Sequence, residues 1–105
     1  MAQVIEWAPF RLRQGVSEER LLEASDALQG GFLQDQTGFV RRHLLRTADG
    51  GYVDMVVWSS RDVADTAMRK AAESPACSAY FAIMGADHAD PGADVAHYDE
   101  LKVYE

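Results

Sequence analysis

The side chains of this chain best suited to chemistry are three aromatics and a short basic run. Trp58 stands where the apolar run Val56-Val57 meets Ser59-Ser60-Arg61-Asp62, and Tyr80-Phe81 lies in a segment that opens on Ser74-Pro75. An indole offers an apolar face with one N–H, and a phenol offers a ring with a hydroxyl. Trp58, Tyr80 and Phe81 could thus wall a cavity and orient a hydroxyl on a flat organic ligand; the same side chains equally read as core packing. Arg41, Arg42, His43 and Arg46 concentrate positive charge on one short run of an acidic chain. Strand alternation places Arg41 and His43 on one face and Arg42 and Arg46 on the other. This run reads either as an edge strand guarded by charge or as polar groups that meet an anionic or phenolate ligand. His43 could then serve as acid or base, because an imidazole titrates near neutrality.

Two carboxylates stand out for their surroundings. Asp54 interrupts an apolar run, so burial demands a partner or a raised pKa, and the neighbouring arginines could supply the partner. Glu6 raises the same question. His97 and Asp99 share a strand face and could hydrogen-bond, with a structural or interfacial role, since no motif brings a nucleophile to them. His88 among Asp87, Asp90 and Asp94 has metal-ligand residue types, but the Pro91-Gly92 pair marks an ordinary turn, and no metal is expected. Cys77, between small residues near a helix start, reads as a packed thiol rather than a nucleophile.

The elements that must position these groups follow from periodicity and caps. Val4 to Arg13 alternates as a strand, with Pro9 marking a bulge or an unpaired position. Ser17 caps a helix whose apolar stripe is Leu21, Ala24, Leu28 and Phe32, with Gly30-Gly31 as its weak last turn. Phe39 to Thr47 and Tyr52 to Trp58 form a hairpin across Asp49-Gly50. Ser59 is the expected cap of the next helix, with Asp62 completing a capping box and Trp58 stapling onto Val63. Ser74-Pro75 opens a short helix ending near Gly85. Residues 86–94 form a turn-rich acidic loop, and Val95 to Tyr104 make the last strand. The order β, α, β, β, α, short helix, β predicts an α+β ferredoxin-like sandwich in which helices cover one sheet face. Apolar residues on both strand parities predict that the second face packs on another copy of the sheet.

The whole chain sets outer bounds. With 105 residues and 48% hydrophobic content, one domain spanning 1–105 is expected, and no apolar run approaches the roughly 18 to 20 residues of a membrane span. Ten Lys plus Arg against seventeen Asp plus Glu give a net charge of -7, which disfavours nucleic acid as a partner. The segment Met1 to Glu6 lacks the features of a secretory signal, and one cysteine cannot form an internal disulfide; both make the cytoplasm the default location.

The runs Phe10-Arg11-Leu12-Arg13-Gln14-Gly15, Gln36-Thr37-Gly38-Phe39, Val57-Trp58-Ser59-Ser60 and Ser74-Pro75 with Tyr80-Phe81 resemble the antibiotic biosynthesis monooxygenase-like branch of the dimeric α+β barrel superfamily. The resemblance spans most of the chain. It implies a homodimer whose sheets form a barrel, with a cavity in each subunit between sheet and helices. Members of that branch oxidise polycyclic phenols without metal or flavin, degrade haem, or have no established activity. Haem-degrading relatives use an asparagine on the first strand, a tryptophan ending the third and a histidine on the short helix. Here Trp58 matches, whereas the asparagine place falls on Ala8 and the histidine place on Tyr80 or Phe81, so haem binding is disfavoured. The quinone-forming relatives need an aromatic, hydrogen-bonding pocket, for which Trp58, Tyr80, Phe81, His43 and Arg42 are the candidate ligand-binding residues. Two functions stay open: cofactor-independent oxidation of a small aromatic or phenolic metabolite, and a non-catalytic dimeric module that binds a small molecule or only assembles.

Overall fold

In the computed structural model, which describes residues 2–85 and 95–105, four strands form one antiparallel sheet in the order β2-β3-β1-β4. The elements are β1 (Val4–Phe10), α1 (Glu18–Gly31), β2 (Phe39–Arg46), β3 (Tyr52–Trp58), α2 (Arg61–Ala71), α3 (Pro75–Phe81) and β4 (Ala96–Asp99), with a single 3-10 turn at Leu33–Asp35. This is the α+β ferredoxin-like arrangement. The core lies between one sheet face and the helices, where Leu21 and Leu28 of α1, Ala64 and Ala67 of α2, and Cys77 and Tyr80 of α3 meet Phe10, Val56 and Trp58.

Cap and turn chemistry explains most boundaries. The Ser17 hydroxyl accepts from the Arg20 N–H at 3.1 Å, and Glu18 and Glu19 occupy the first turn of α1, where the helix dipole favours negative charge. The Thr47 N–H donates to the Gly51 carbonyl at 2.9 Å, and Gly50 has φ +88°, so the expected hairpin turn forms around it. Ser74 caps α3 by accepting from the Cys77 N–H, with Pro75 at the helix start. Gly30-Gly31 remain helical, and a Cβ on Gly31 would stand 3.3 Å from the Ala76 Cβ, so the glycine lets α1 and α3 approach closely.

Four expectations need correction. The cap of α2 is Ser60, not Ser59: the Ser60 hydroxyl accepts from the Val63 N–H, while the Ser59 N–H donates to the Gly38 carbonyl at 2.8 Å. The Asp62 capping box and the Trp58 staple are thereby out of register. β1 ends at Phe10 rather than Arg13, and Leu12 makes only an isolated bridge to Met84, because the chain there turns to meet the residues after α3. α3 ends at Phe81 rather than near Gly85; the Arg13 N–H then donates to Ile83 and the Gly85 N–H to Arg11, each at 2.8 Å. Pro9, in contrast, takes the second of its two expected outcomes: it sits in register with Val53 without a bulge, and it is unpaired on the β4 side, where pairing stops at Trp7. β4 stops at Asp99 instead of running to Tyr104, since β1 begins at Val4 and offers no further partner; Leu101 and Tyr104 are exposed.

Cross-strand pairing sorts the sheet into two faces. The row His97, Glu6, Val56 and Arg42 crosses all four strands on the helix side, and the next row there holds Ala8, Asp54 and Leu44. The other face carries the rows Tyr98, Ile5, Val57, Arg41 and Ala96, Trp7, Met55, His43, then Pro9, Val53, Leu45. No helix among the described residues covers that second face, and Trp7 and Leu45 are each 37% exposed on it. No described helix is long and apolar enough to cross a membrane.

Candidate functional site

A cavity of about 410 Å³ opens between the helix-side face of the sheet and the three helices. Its floor is Glu6, Ala8, Phe10, Asp54, Val56 and Trp58, and its walls include Leu28 of α1, Met68 of α2, and Tyr80 and Phe81 of α3. The lining is mostly apolar. The void follows from the sequence of α2, whose inward positions Ala67 and Ala71 are too short to fill the gap to the sheet. A pocket of this size falls in the roughly 300 to 1,000 Å³ range of small-molecule sites.

One polar group is a buried triad. The Arg42 Nε donates to Asp54 Oδ1 at 2.9 Å, and the Tyr80 hydroxyl donates to Asp54 Oδ2 at 2.7 Å. The remaining guanidinium nitrogens reach the Tyr80 hydroxyl at 3.2 Å and the Ser25 carbonyl at 3.3 Å. The side chains of Arg42 and Asp54 are 6% and 10% exposed. The pair is diagonal across β2 and β3, because Val56 stands directly opposite Arg42. Burial first, and then the Asp54 carboxylate, push the Tyr80 phenol far above its ordinary pKa, so it stays a proton donor. Asp54 thus has the arginine partner expected of it, and Arg42 is committed to that partner rather than open to an anionic ligand.

A second polar group lies on the β4 side. The Trp58 Nε1 donates to Glu6 Oε1 at 3.3 Å, and the His97 Nε2 stands 3.4 Å from the same oxygen. That second approach is close enough for charge attraction but off-line for a hydrogen bond, which leaves Nε2 buried without a hydrogen-bond partner among the described residues. Burial raises the Glu6 pKa; His97 and the Trp58 N–H oppose the shift, and Asp54 adds to it. Trp58 is 2% exposed, packs edge-on against Phe39 with ring centroids 5.9 Å apart, and also lines the cavity. It is therefore core and pocket wall at once.

Of the five ligand-binding candidates, Trp58, Tyr80, Phe81 and Arg42 line this cavity. His43 is not brought to it: it sits opposite Met55 on the other sheet face and is exposed, as strand alternation requires for the neighbour of Arg42. His97 turns to Glu6 and forms no hydrogen bond with Asp99, which is exposed. Cys77 lines the cavity, but burial raises its thiol pKa and only the Ser74 hydroxyl opposes this, so it carries little thiolate. The His88 cluster lies outside the described residues. At the places that haem-degrading relatives fill with asparagine and histidine stand Ala8 and the Tyr80-Phe81 pair; the Tyr80 hydroxyl, protonated and bound to Asp54, offers no ligand to haem iron. Glu6 stands out in the sequence as a strand carboxylate, but nothing there places it at the site. Its signal is the β1–β4 register, which pairs Glu6 with His97 and is invisible until the strands are aligned.

No protein-family model matches the chain, and no curated protein sequence matches it. Solved structures do. The chain is similar to SnoaB, a cofactor-independent oxygenase from Streptomyces nogalater, at 22% identity and a TM-score of 0.64, covering 100% of this chain and 97% of that one. It is similar to the monooxygenase ActVA-Orf6 of Streptomyces coelicolor, solved with the ligand nanaomycin D, at 13% identity and a TM-score of 0.71, covering 99% and 92%. A third similar structure is an antibiotic biosynthesis monooxygenase, so named by inference, from Bordetella bronchiseptica, at 16% identity and a TM-score of 0.61, covering 99% and 100%. The resemblance read from the sequence is thus met at the level of architecture: the chain has the ferredoxin-like fold of antibiotic biosynthesis monooxygenase-like proteins.

Proposed function

We propose that the protein binds a small aromatic or phenolic metabolite in the cavity between sheet and helices and oxidises it with dioxygen, without a resident cofactor. The observation that carries this reading is the cavity itself, about 410 Å³, with an aromatic wall of Phe10, Trp58, Tyr80 and Phe81 and the Glu6 and Asp54 carboxyl groups on its floor. Flat ring faces suit flat apolar ligands, and a few fixed polar groups suffice to orient a hydroxyl. SnoaB, named as a cofactor-independent oxygenase, shares the fold, which supports the reading by analogy.

The stoichiometry is simple. A phenol with a free ring C–H reacts with one dioxygen to give a quinone and one water; the ring loses four electrons, and dioxygen accepts all four. Trp58 and Tyr80 hold the ring, and the apolar lining excludes water from the reacting carbon. We further propose a homodimer formed through the uncovered sheet face, where Trp7, Met55 and Leu45 would be buried against a second copy.

Oxygen uptake by protein stripped of metals and flavins, measured across a panel of phenols and hydroquinones, tests the catalytic reading. The expected result is one dioxygen consumed per quinone formed, with Trp58→Phe lowering the rate about tenfold to hundredfold through loss of ring positioning. Tight binding of panel members without any oxygen uptake would replace the enzyme with a small-molecule-binding module.

A further inference from the structure

We infer that Glu6 is the cavity group that accepts the hydroxyl hydrogen of a bound ligand, with His97 behind it as a positioning residue, and that the cavity selects neutral hydroxyl-bearing aromatics over aromatic carboxylates. This rests on the cavity being an aromatic-ligand site and assigns that site its polar anchor.

The assignment follows from which polar groups are already taken. Arg42 spends its guanidinium on Asp54, Tyr80 and the Ser25 carbonyl. Both Asp54 oxygens are used, Oδ1 by Arg42 and Oδ2 by the Tyr80 hydroxyl. Tyr80 donates its one hydrogen to that contact, and the Trp58 N–H goes to Glu6. At Glu6 both contacts fall on Oε1, so among the described residues Oε2 carries no side-chain hydrogen bond while the residue lines the cavity. A ligand hydroxyl entering the cavity therefore finds its open acceptor there. A carboxylate finds like charge instead, because Arg42 is already neutralised by Asp54, and like charges face to face are strongly unfavourable.

His97 gives Glu6 its setting. It occupies the register position opposite Glu6 on β4, its side chain is 9% exposed, and its Nε2 is buried 3.4 Å from Oε1. The other charged or titratable groups that line the cavity with Glu6 are Asp54 from β3, Arg42 from β2, and Cys77 and Tyr80 from α3, while α1 and α2 line it with apolar side chains. The His97 imidazole beside it favours the carboxylate form of Glu6, opposing the rise that burial imposes.

The test uses 1-naphthol and 1-naphthoate, which share a ring system and differ in charge, titrated calorimetrically into the full-length protein at about pH 8, where phenols are protonated and carboxylates ionised. Wild type is expected to bind 1-naphthol at least about tenfold more tightly than 1-naphthoate. Glu6→Gln, which keeps the shape and removes the charge, is expected to bring the two affinities together, mainly through a gain for naphthoate. In wild type, the exclusion of naphthoate should fade as pH falls through the raised Glu6 range. In His97→Gln it should fade at a higher pH, because Glu6 loses the imidazole neighbour that favours its ionisation, and a merely structural role for His97 would not move that midpoint.

An unchanged ratio in Glu6→Gln, or a wild-type preference for naphthoate, overturns the anchor while leaving the aromatic site standing. An unmoved midpoint in His97→Gln overturns the role of His97. Failure of wild type to bind either probe overturns both the anchor and the aromatic-ligand reading. The wild-type pH profile needs no variant, so a folding defect in Glu6→Gln does not shield the proposal.

Discussion

At the residue scale, the buried ion pair decides what the cavity can be. Two charges in an apolar interior hold only while each has its partner; removing one leaves the other exposed to the full desolvation cost. Asp54→Ala is therefore expected to lower unfolding free energy by about 3–5 kcal/mol in urea titrations, and a loss under about 1 kcal/mol would show the pair to be dispensable. Tyr80→Phe removes the hydroxyl that serves Asp54 Oδ2, for an expected loss of about 1–3 kcal/mol. Glu6 adds a pH dependence of definite sign. Its folded pKa is raised above the ordinary 4.5, so between that value and the folded pKa the folded state binds more protons than the unfolded state. Stability thus falls as pH rises through the window, and its Glu6 contribution is fully present only below it. Urea midpoints measured against pH are expected to lose this falling component in Glu6→Gln.

At the element scale, the caps and the hairpin were legible in the sequence because their chemistry is local. Ser17, Ser74-Pro75 and Asp49-Gly50 each act on backbone groups within a few residues, and each does what its type predicts. The α2 start lies one residue beyond the sequence expectation because Ser59 and Ser60 are equally good caps by type, and a tertiary contact decides between them: the Ser59 N–H is held by the Gly38 carbonyl. Ser60→Ala is accordingly expected to cost about 1 kcal/mol, and Ser59→Ala less, in paired thermal melts. Gly38 has φ +82°, and a Cβ there would lie 2.5 Å from the Val63 Cγ2, so Gly38→Ala should destabilise both the β2 entry and the α2 start. The overlong β4 has the opposite cause. Val95 to Tyr104 keeps strand alternation, but the length of a strand is set by its partner, and β1 supplies pairing only from Val4 to Trp7. The site shows the same division: Trp58, Tyr80 and Arg42 were legible from type and parity, whereas the Glu6–His97 pairing depends on register between distant strands.

At the scale of the whole molecule, the sheet has one face spent on the core and one without a covering element among the described residues. Trp7, Met55 and Leu45 lie in adjacent rows of that second face, flanked by Arg41 and His43, a pattern suited to an apolar interface with a polar border. In the proposed homodimer, Met55→Glu places a charge at the middle of the interface without touching the cavity. Sedimentation analysis is expected to show a dimer for wild type and a monomer for the variant; a monomeric wild type would remove the dimer from the account.

The proposed function rests on the cavity, and a crystal structure of the protein with 1-naphthol is its sharpest test. The ring is expected between Trp58 and Tyr80, with its hydroxyl at Glu6. Density for the ring only on the open sheet face, with the cavity filled by solvent or collapsed, would contradict it.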